Sequence, residues 1–374
     1  VKIVVTGAGG LIGWHAAARL HARNCAARFR GETQPFELVR LDHAGFADPR
    51  QLREAMTGAD AVLHFAGVNR ASEEEVEHAN PAIAQALDHA CREVSAAPHI
   101  VYANSTHAAG DTPYGRGKRR AGEILSGGPG RYTNLILPHI FGECARPYYN
   151  NVTATFIDQV IKGEEPSVNP DGHVHLLHAS AAAQAAIDAA IDGMEGDLVP
   201  TPRSTGVPEL LGILQRFHAS YEANIYPDLS DPFDLALFNS YRAALYPSAF
   251  PRALKLNTDK RGTLFEAVKG GGGGQTFLSW TETGVTRGDH FHLNKVERFL
   301  VLEGEAVIRI RRVLSDEVWE YRVSGENPAP VDMPTLHTHS IENVGGSRLL
   351  TLFWTHDIFD PAAPDTYADP VLRV

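Results

Sequence analysis

The sequence predicts an α/β fold: a doubly wound parallel sheet, followed by a small C-terminal all-β barrel. Three observations carry this. The opening VKIVVTGAGGLIGWH runs from a continuously apolar strand through a glycine turn into a helix. Apolar strand-like runs then alternate with helical ones to about residue 240. Beyond that the runs become short, alternating and punctuated by glycine, as in barrels built from hairpins. Two prolines interrupt the pattern in YPSAFPRALKL, so the expected domains are 1–245 and 246–374.

The first element, Val1 to Val5, lacks the polar alternation of a half-exposed strand and reads as a parallel strand covered on both faces. Gly7, Gly10 and Gly13 follow, with Leu11 and Ile12 between the last two. Glycines there let the backbone turn tightly and approach a pyrophosphate, which the free N–H groups of the next helix favour. FELVRLD is a second strand, QLREAMTG a helix, and DAVLHFAGVNR a third strand ending in small residues. PAIAQALDHACREV is a helix and HIVYANSTHAAG a strand with a polar end. Such alternation implies right-handed βαβ units, with ligands at the C-terminal strand ends.

ANSTHAAGDTPYGRGKRRAGEIL places Tyr114 and Lys118 four residues apart at a helix start, on one face. A free tyrosine, with a pKa of about 10, is a poor acid–base group near neutrality. An ammonium beside it favours the phenolate. Such a tyrosine exchanges a proton with a carbonyl or hydroxyl while a nicotinamide exchanges hydride at the same carbon. A hydroxyl from Ser105 or Thr106 would orient the substrate oxygen.

The C-terminal third offers a different chemistry. In GVTRGDHFHLNKVERFLVLEG, His290 and His292 share one strand face. Glu297 follows across a short turn, and His339 lies in MPTLHTHSIENVG. Three imidazoles and a carboxylate converging inside a barrel make a divalent metal site. His337 alternates with His339 and is read as a base or extra ligand. His173, His175 and His178 in HVHLLH read as a strand with polar ends, and His64 as a satisfied strand-end histidine. The run Gly270 to Gly274 reads as a hairpin loop after a first barrel strand, RGTLFEAV.

Composition bounds the function classes. The chain has 374 residues, 43% hydrophobic and 21% charged, ordinary values for a soluble globular protein. No apolar run approaches the roughly 20 residues of a membrane span. The first stretch does not read as a signal peptide, and Cys25, Cys91 and Cys144 have no metal or redox spacing, so a cytoplasmic enzyme is expected. A net charge of −11 argues against a nucleic-acid partner.

The N-terminal motifs resemble the extended short-chain dehydrogenase/reductase family of nucleotide-sugar epimerases, dehydratases and reductases, which implies a Rossmann-type sheet. The resemblance puts the catalytic hydroxyl at Thr106 beside Tyr114 and Lys118, and matches Asn80 to the family asparagine. It places the cofactor against Gly7, Gly10, Gly13, Leu11, Ile12, Ala66, Tyr114 and Lys118. Asp42, ending the second strand, would bind a ribose 2′-hydroxyl and favour NAD, whereas Arg40 and the resemblance favour NADP. NADP is expected, with NAD the alternative. Two stretches depart from the pattern: ILPHIFG has Ile136 and His139 where Arg-x-Pro-Asn is usual, and LLHASAAA replaces Val-Asp-Asp.

The histidine motifs resemble those of the cupin (jelly-roll) fold, with Leu336 in the place of a usual glycine. The order of the two parts, with AGVNR, PYGRGK and YYNNVTATF before DHFH, VERFLV and THSIENVG, resembles the CapF-like UDP-sugar reductase/epimerases of capsular or surface polysaccharide synthesis. That resemblance implies a UDP-2-acetamido-2,6-dideoxy-4-ketohexose substrate, C3 epimerisation in a zinc-bearing (or other divalent-metal) cupin, C4 reduction in the other domain, and a homodimer. It implies substrate contacts at Asn69, Arg70 and Asn150, and at Arg261 and Glu266 in TDKRGTLFE. A cupin oxygenase and a cupin that only binds sugar nucleotide or mediates dimerisation are the alternatives.

Overall fold

The structure, a computed structural model, describes residues 1–373 and divides into two compact units: residues 1–155 with 168–208, and residues 156–167 with 209–373. In chain order the first contains β1 (Lys2–Thr6), α1 (Leu11–Phe29), β2 (Glu37–Leu41), α2 (His43–Ala47), α3 (Pro49–Met56), β3 (Ala61–His64), α4 (Glu73–Glu93), β4 (His99–Ser105) and α5 (Pro113–Ser126). There follow β5 (Tyr132–Leu137), β6 (His139–Phe141), α6 (Val152–Lys162), which the division crosses, β7 (His173–His178), α7 (Ala179–Asp192), β8 (Gly196–Leu198) and β9 (Arg203–Gly206).

The main sheet has six strands in the order β2-β1-β3-β4-β5-β8, all parallel. Alternate residues of its strands feed opposite faces. Ile3, Val5, Leu63 and Val101 pack under Ala16 and Leu20 of α1 and Ala182, Ala183 and Ile187 of α7. Val4, Val62 and Ile100 pack against Leu52 and Met56 of α3, Leu87 of α4 and Leu125 of α5. Burial on both faces explains why these strands read as continuous apolar runs. After β1 the chain pairs β2 on one side and β3 on the other. The C-terminal ends of β1 and β3 are therefore the switch point where such sheets open a crevice.

One helix boundary differs from the sequence reading. α4 starts at Glu73, not near Pro81, because Ser72 and Glu75 form a capping box: the Ser72 hydroxyl accepts from Glu75 N and the Glu75 carboxylate accepts from Ser72 N. The helix runs through Pro81, and the Asn80 side chain supplies a donor to the Val76 carbonyl.

The second unit contains α8 (Val207–Glu222), β10 (Ile225–Tyr226), α9 (Pro232–Ala244), β11 (Asn257–Asp259), β12 (Gly262–Leu264), β13 (Lys269–Gly270), β14 (Gln275–Thr281), β15 (Thr286–Phe291) and β16 (Glu297–Glu303). It continues with β17 (Glu305–Arg312), β18 (Val318–Ser324), β19 (Val331–Met333), β20 (His337–Asn343), β21 (Leu349–Thr355) and β22 (Tyr367–Ala368). Two antiparallel sheets, β14-β21-β16-β19 and β18-β17-β20-β15-β22, form a cupin-type jelly roll. RGTLFEAV is not its first strand. Residues 262–264 pair with 257–259 in a separate, exposed hairpin, and the first barrel strand is β14.

Helices α8 and α9 group with the barrel through a buried polar network. Arg298 and Asp332, both fully buried, make a bidentate ion pair at 2.6 and 2.9 Å. Tyr221 of α8 donates to the same carboxylate, and Arg242 of α9 donates to the Met333 carbonyl. Arg298 also reaches Asn224 at 2.5 Å and the Ala267 carbonyl at 3.0 Å, and lies 4.9 Å from the Tyr226 ring centre. Four of the five guanidinium N–H donors are thus committed within this unit.

Candidate active site and metal centre

The glycine turn lies at the switch point. Gly7 has φ +65°, and a Cβ there would sit 2.7 Å from Ala66 N at the end of β3. A Cβ on Gly13 would sit 2.2 Å from the Gly7 carbonyl oxygen. Both positions therefore need glycine for close backbone approach, one for its dihedral as well. Gly10 is the N-cap of α1 and offers no side chain to its first-turn amides, so those of Leu11 and Ile12 stay available to an anion. Arg40 and Asp42 are exposed around the end of β2. Asp42 caps α2, accepting from Gly45 N at 2.8 Å.

Tyr114 and Lys118 sit one turn apart on α5, which Thr112 caps and Pro113 opens. Of the two hydroxyls at the end of β4, Ser105 is the one hydrogen-bonded to Tyr114. Thr106 begins a short 3-10 turn and is exposed, because Ser105 accepts from His107 N and turns the chain outward. Ser105, not the Thr106 expected from the sequence, is thus the hydroxyl beside Tyr114.

The expected lowering of Tyr114 by Lys118 is also replaced by something else. Burial raises the Tyr114 phenol, against the lowering effect of the Ser105 hydrogen bond. Lys118 is itself buried and is pushed down to about 7 by that burial. Its ammonium donates to the Ala103 carbonyl at 2.5 Å and lies 4.2 Å from the Tyr102 ring centre.

His64 is the satisfied strand-end residue expected, bonded to Thr6 at 2.7 Å. His107 sets its ring edge-on to Tyr114, with centroids 6.1 Å apart. His139, in the place of the family's usual asparagine, is held below the ordinary imidazole range by burial, and its buried Nε2 has no partner among the described residues.

Loops around these residues are anchored from below. Asn80 ties the segment after β3, donating to the Val68 carbonyl at 2.9 Å and accepting from Val68 N at 3.1 Å. Asn69 and Asn150, from distant parts of the sequence, meet: the Asn150 amide donates to the Asn69 carbonyl at 2.6 Å. One cluster was not legible in the sequence. Glu143, buried after β6, lies 2.8 Å from His178 Nε2 and 3.7 Å from His15 Nε2, while His15 Nδ1 bonds Ser180 at 2.8 Å. HVHLLH does form a strand, yet its last histidine finds a carboxylate 35 residues away in sequence.

In the barrel, His290, His292, Glu297 and His339 converge, with ligand atoms all within 4.8 Å of one another. His290 and His339 are register partners on β15 and β20, and Glu297 comes from the opposing sheet. A bulge at Gly288 and Asp289 turns His290 to that register. Leu336 adopts φ +60°, the conformation a glycine takes easily, and donates from its N–H to the His292 carbonyl at 2.8 Å. The turn of the second motif thus keeps its shape without the glycine.

The donor set fits a divalent ion. His292 Nδ1 faces the Asp365 carbonyl at 2.6 Å and His339 Nδ1 faces that of His337 at 3.2 Å, so each Nδ1 carries the proton. Both Nε2 atoms then point at Glu297 Oε2, at 3.1 and 3.2 Å. Lone pairs facing an anion call for a cation between them, and His339 Nε2 has no hydrogen-bond partner among the described residues. Burial pushes His290 down to about 3 and keeps it a neutral ligand.

His337 is buried outside this set of four; its Nδ1 bonds the Thr335 carbonyl at 2.8 Å and its ring stacks on Trp319 at 5.6 Å. Arg261 and Glu266 do not join the cluster. Both are exposed, Arg261 paired with Asp259 at 2.6 Å and Glu266 with Lys269 at 3.0 Å.

Known proteins match this arrangement along its whole length. The NAD dependent epimerase/dehydratase family matches residues 3–194, and the polysaccharide biosynthesis C-terminal domain matches residues 257–367. A UDP-2-acetamido-2,6-beta-L-arabino-hexul-4-ose reductase from Pseudomonas aeruginosa is 30% identical over 377 residues, covering 98% of each chain. The crystal structure of the capsular polysaccharide assembling protein CapF from Staphylococcus aureus is 29% identical, with a TM-score of 0.57 over 99% of this chain and 100% of that one. This chain is a CapF-like member of the NAD dependent epimerase/dehydratase family, an enzyme of the nucleotide-sugar reductase/epimerase type for polysaccharide synthesis.

Proposed function

We propose that the chain is a bifunctional UDP-sugar enzyme, probed by its two units separately: the cupin epimerises C3 of a UDP-2-acetamido-2,6-dideoxy-4-ketohexose, and the reductase unit reduces the C4 ketone. The observation that carries the reading is the four-ligand cluster of His290, His292, Glu297 and His339 in the same chain as the Ser105–Tyr114 pair. The name of the Pseudomonas relative, a reductase of a UDP-linked 4-ketosugar, supports the substrate class.

In the cupin, a C4 ketone acidifies the neighbouring C3–H. His337 is the proposed base that removes and returns that proton. A divalent metal, zinc in this reading, supplies Lewis acidity that favours the enolate-like charge. In the reductase unit, Tyr114 gives its proton to the C4 oxygen as it becomes a hydroxyl, Ser105 orients that oxygen and hydrogen-bonds the phenolate left behind, and Lys118, one turn along α5, adds its charge when protonated. A nicotinamide cofactor supplies the hydride. NADPH is the proposed form. Asp42 spends one carboxylate oxygen on capping α2, which supports a smaller role in holding a ribose hydroxyl. A homodimer is proposed, the exposed Arg261 hairpin being a segment that a second chain could cover.

The test is NMR of products formed from UDP-4-ketosugars in deuterated water, with and without NADPH. Deuterium at C3 without NADPH, and a reduced C4 only with it, are expected. Absence of C3 exchange by the metal-loaded protein would leave the cupin as a binding or dimerisation module.

A further inference from the structure

The loops at the C-terminal edge of the parallel sheet carry two arginines that no motif accounted for as a pair. Arg70 follows β3, and Arg146 lies between β6 and α6. Their guanidinium carbons lie 5.8 and 5.9 Å from the centre of one ring, that of Tyr149. Tyr149, Arg70 and Arg146 are exposed, and neither arginine has a carboxylate partner among the described residues. Other exposed arginines of this acidic chain behave differently: Arg30, Arg50, Arg53, Arg92, Arg116 and Arg120 all find carboxylates.

Two like charges at one ring repel each other unless something anionic joins them. The backbone nevertheless holds them there. Asn80 fixes Val68, two residues before Arg70. On the other side Glu143 is anchored by His178, Tyr148 N bonds Thr155 at 2.9 Å, and Asn151 bonds the Ile140 carbonyl at 2.9 Å. Cys144, Tyr148 and Asn150 all have positive φ, of 65°, 58° and 49°. Non-glycine residues rarely adopt that conformation, and three in seven positions mark a loop held in one shape by its surroundings. The Asn150–Asn69 bond then joins the two arginine-bearing loops.

We infer that Arg70, Arg146 and Tyr149 form an anion-binding subsite for the diphosphate of the nucleotide-sugar substrate, on the reductase unit. Guanidinium forks match phosphate oxygens in geometry and charge, and a preformed pair loses little freedom on binding. This rests on the reading of a UDP-sugar substrate above and deepens it: the subsite would set KM for the sugar nucleotide while leaving the proton and hydride transfers to Ser105, Tyr114 and Lys118.

The experiment compares wild type with Arg70→Ala, Arg146→Ala and the double variant, all substitutions of exposed side chains. With NADPH saturating, KM for the ketosugar should rise about tenfold per arginine while kcat stays within about threefold. Competitive inhibition by UDP should weaken by a similar factor, and that by uridine by less than about twofold. KM for NADPH and C3 deuterium exchange should not move. Unchanged ketosugar KM and UDP inhibition would overturn the subsite, as would a rise confined to KM for NADPH, which would assign the arginines to the cofactor. If wild type leaves the ketone unreduced, the functional reading fails. Calorimetric titration of UDP into wild type and the double variant then decides the arginine pair, identical titrations overturning it.

Discussion

Lys118 shows how one buried residue imposes a measurable pH dependence. Its ammonium has lost water and gained only the Ala103 carbonyl and the Tyr102 ring, so burial holds it near 7 instead of the ordinary 10.5. Below about pH 7 both folded and unfolded chains carry the proton, and folding bears the full desolvation cost. Between the two values the unfolded chain binds a proton that the folded chain does not, so stability rises with pH across that window. The urea midpoint of wild type should therefore gain on that of Lys118→Met as pH rises from 6.5 to 9, and a flat or falling difference would refute the burial cost. Gly288 makes a second prediction at this scale. Its φ is +98°, and a Cβ would lie 2.7 Å from the His339 carbonyl oxygen, a backbone atom that cannot swing aside. Gly288→Ala should shift β20 against β15 and spread the ligands. A cost of about 2 kcal/mol, more than tenfold in zinc affinity by competition with a chelator, is expected.

At the scale of elements, what the sequence made legible was whatever is periodic or local. The parallel strands are covered on both faces and read as apolar runs; Tyr114 and Lys118 share a face because they are one turn apart; His290 lies on β15 and His292 just past its end. Contacts between distant segments left little trace. Nothing in IFGEC marks Glu143 as the partner of His15 and His178, and the choice between Ser105 and Thr106 depends on where a 3-10 turn begins. The Ser72–Glu75 capping box was legible in SEEEV, but Pro81 drew the predicted helix start past it. The change of sequence pattern near residue 245 is likewise a change of secondary structure, whereas α8 and α9 pack by side chains onto the barrel. This last point is testable. Asp332→Ala would leave Arg298 charged, buried and without its acid, at a cost of about 3–5 kcal/mol. Because Tyr221 and Arg242 share that network, the helices and the barrel should lose structure in one transition at lower urea. Near-UV circular dichroism and proteolysis sites in α8 should change together; a barrel that unfolds while α8 stays protected would contradict a common core.

For the whole molecule the question is whether two chemistries in one chain are separable. Tyr114, Ser105 and Lys118 lie in the first unit, and His290, His292, Glu297 and His339 in the second. Ketone reduction needs a proton donor at the C4 oxygen and a hydride source, and nothing from the metal ligands. C3 exchange needs a base and stabilisation of the charge left on C3, and no tyrosine phenol. Tyr114→Phe removes one hydroxyl from a half-buried ring and keeps its packing, so the fold should survive, as circular dichroism would verify. Reduction should fall at least about a hundredfold, the lower range for losing a general acid, while deuterium still enters C3 at the wild-type rate. His290→Ala removes one of four ligands, so metal content and C3 exchange should fall together. Yet the variant should still reduce a ketosugar supplied with the C3 configuration that the cupin would otherwise produce. If Tyr114→Phe also stopped C3 exchange in a folded protein, one shared site would replace two, and the division of labour between sheet and barrel would have to be abandoned.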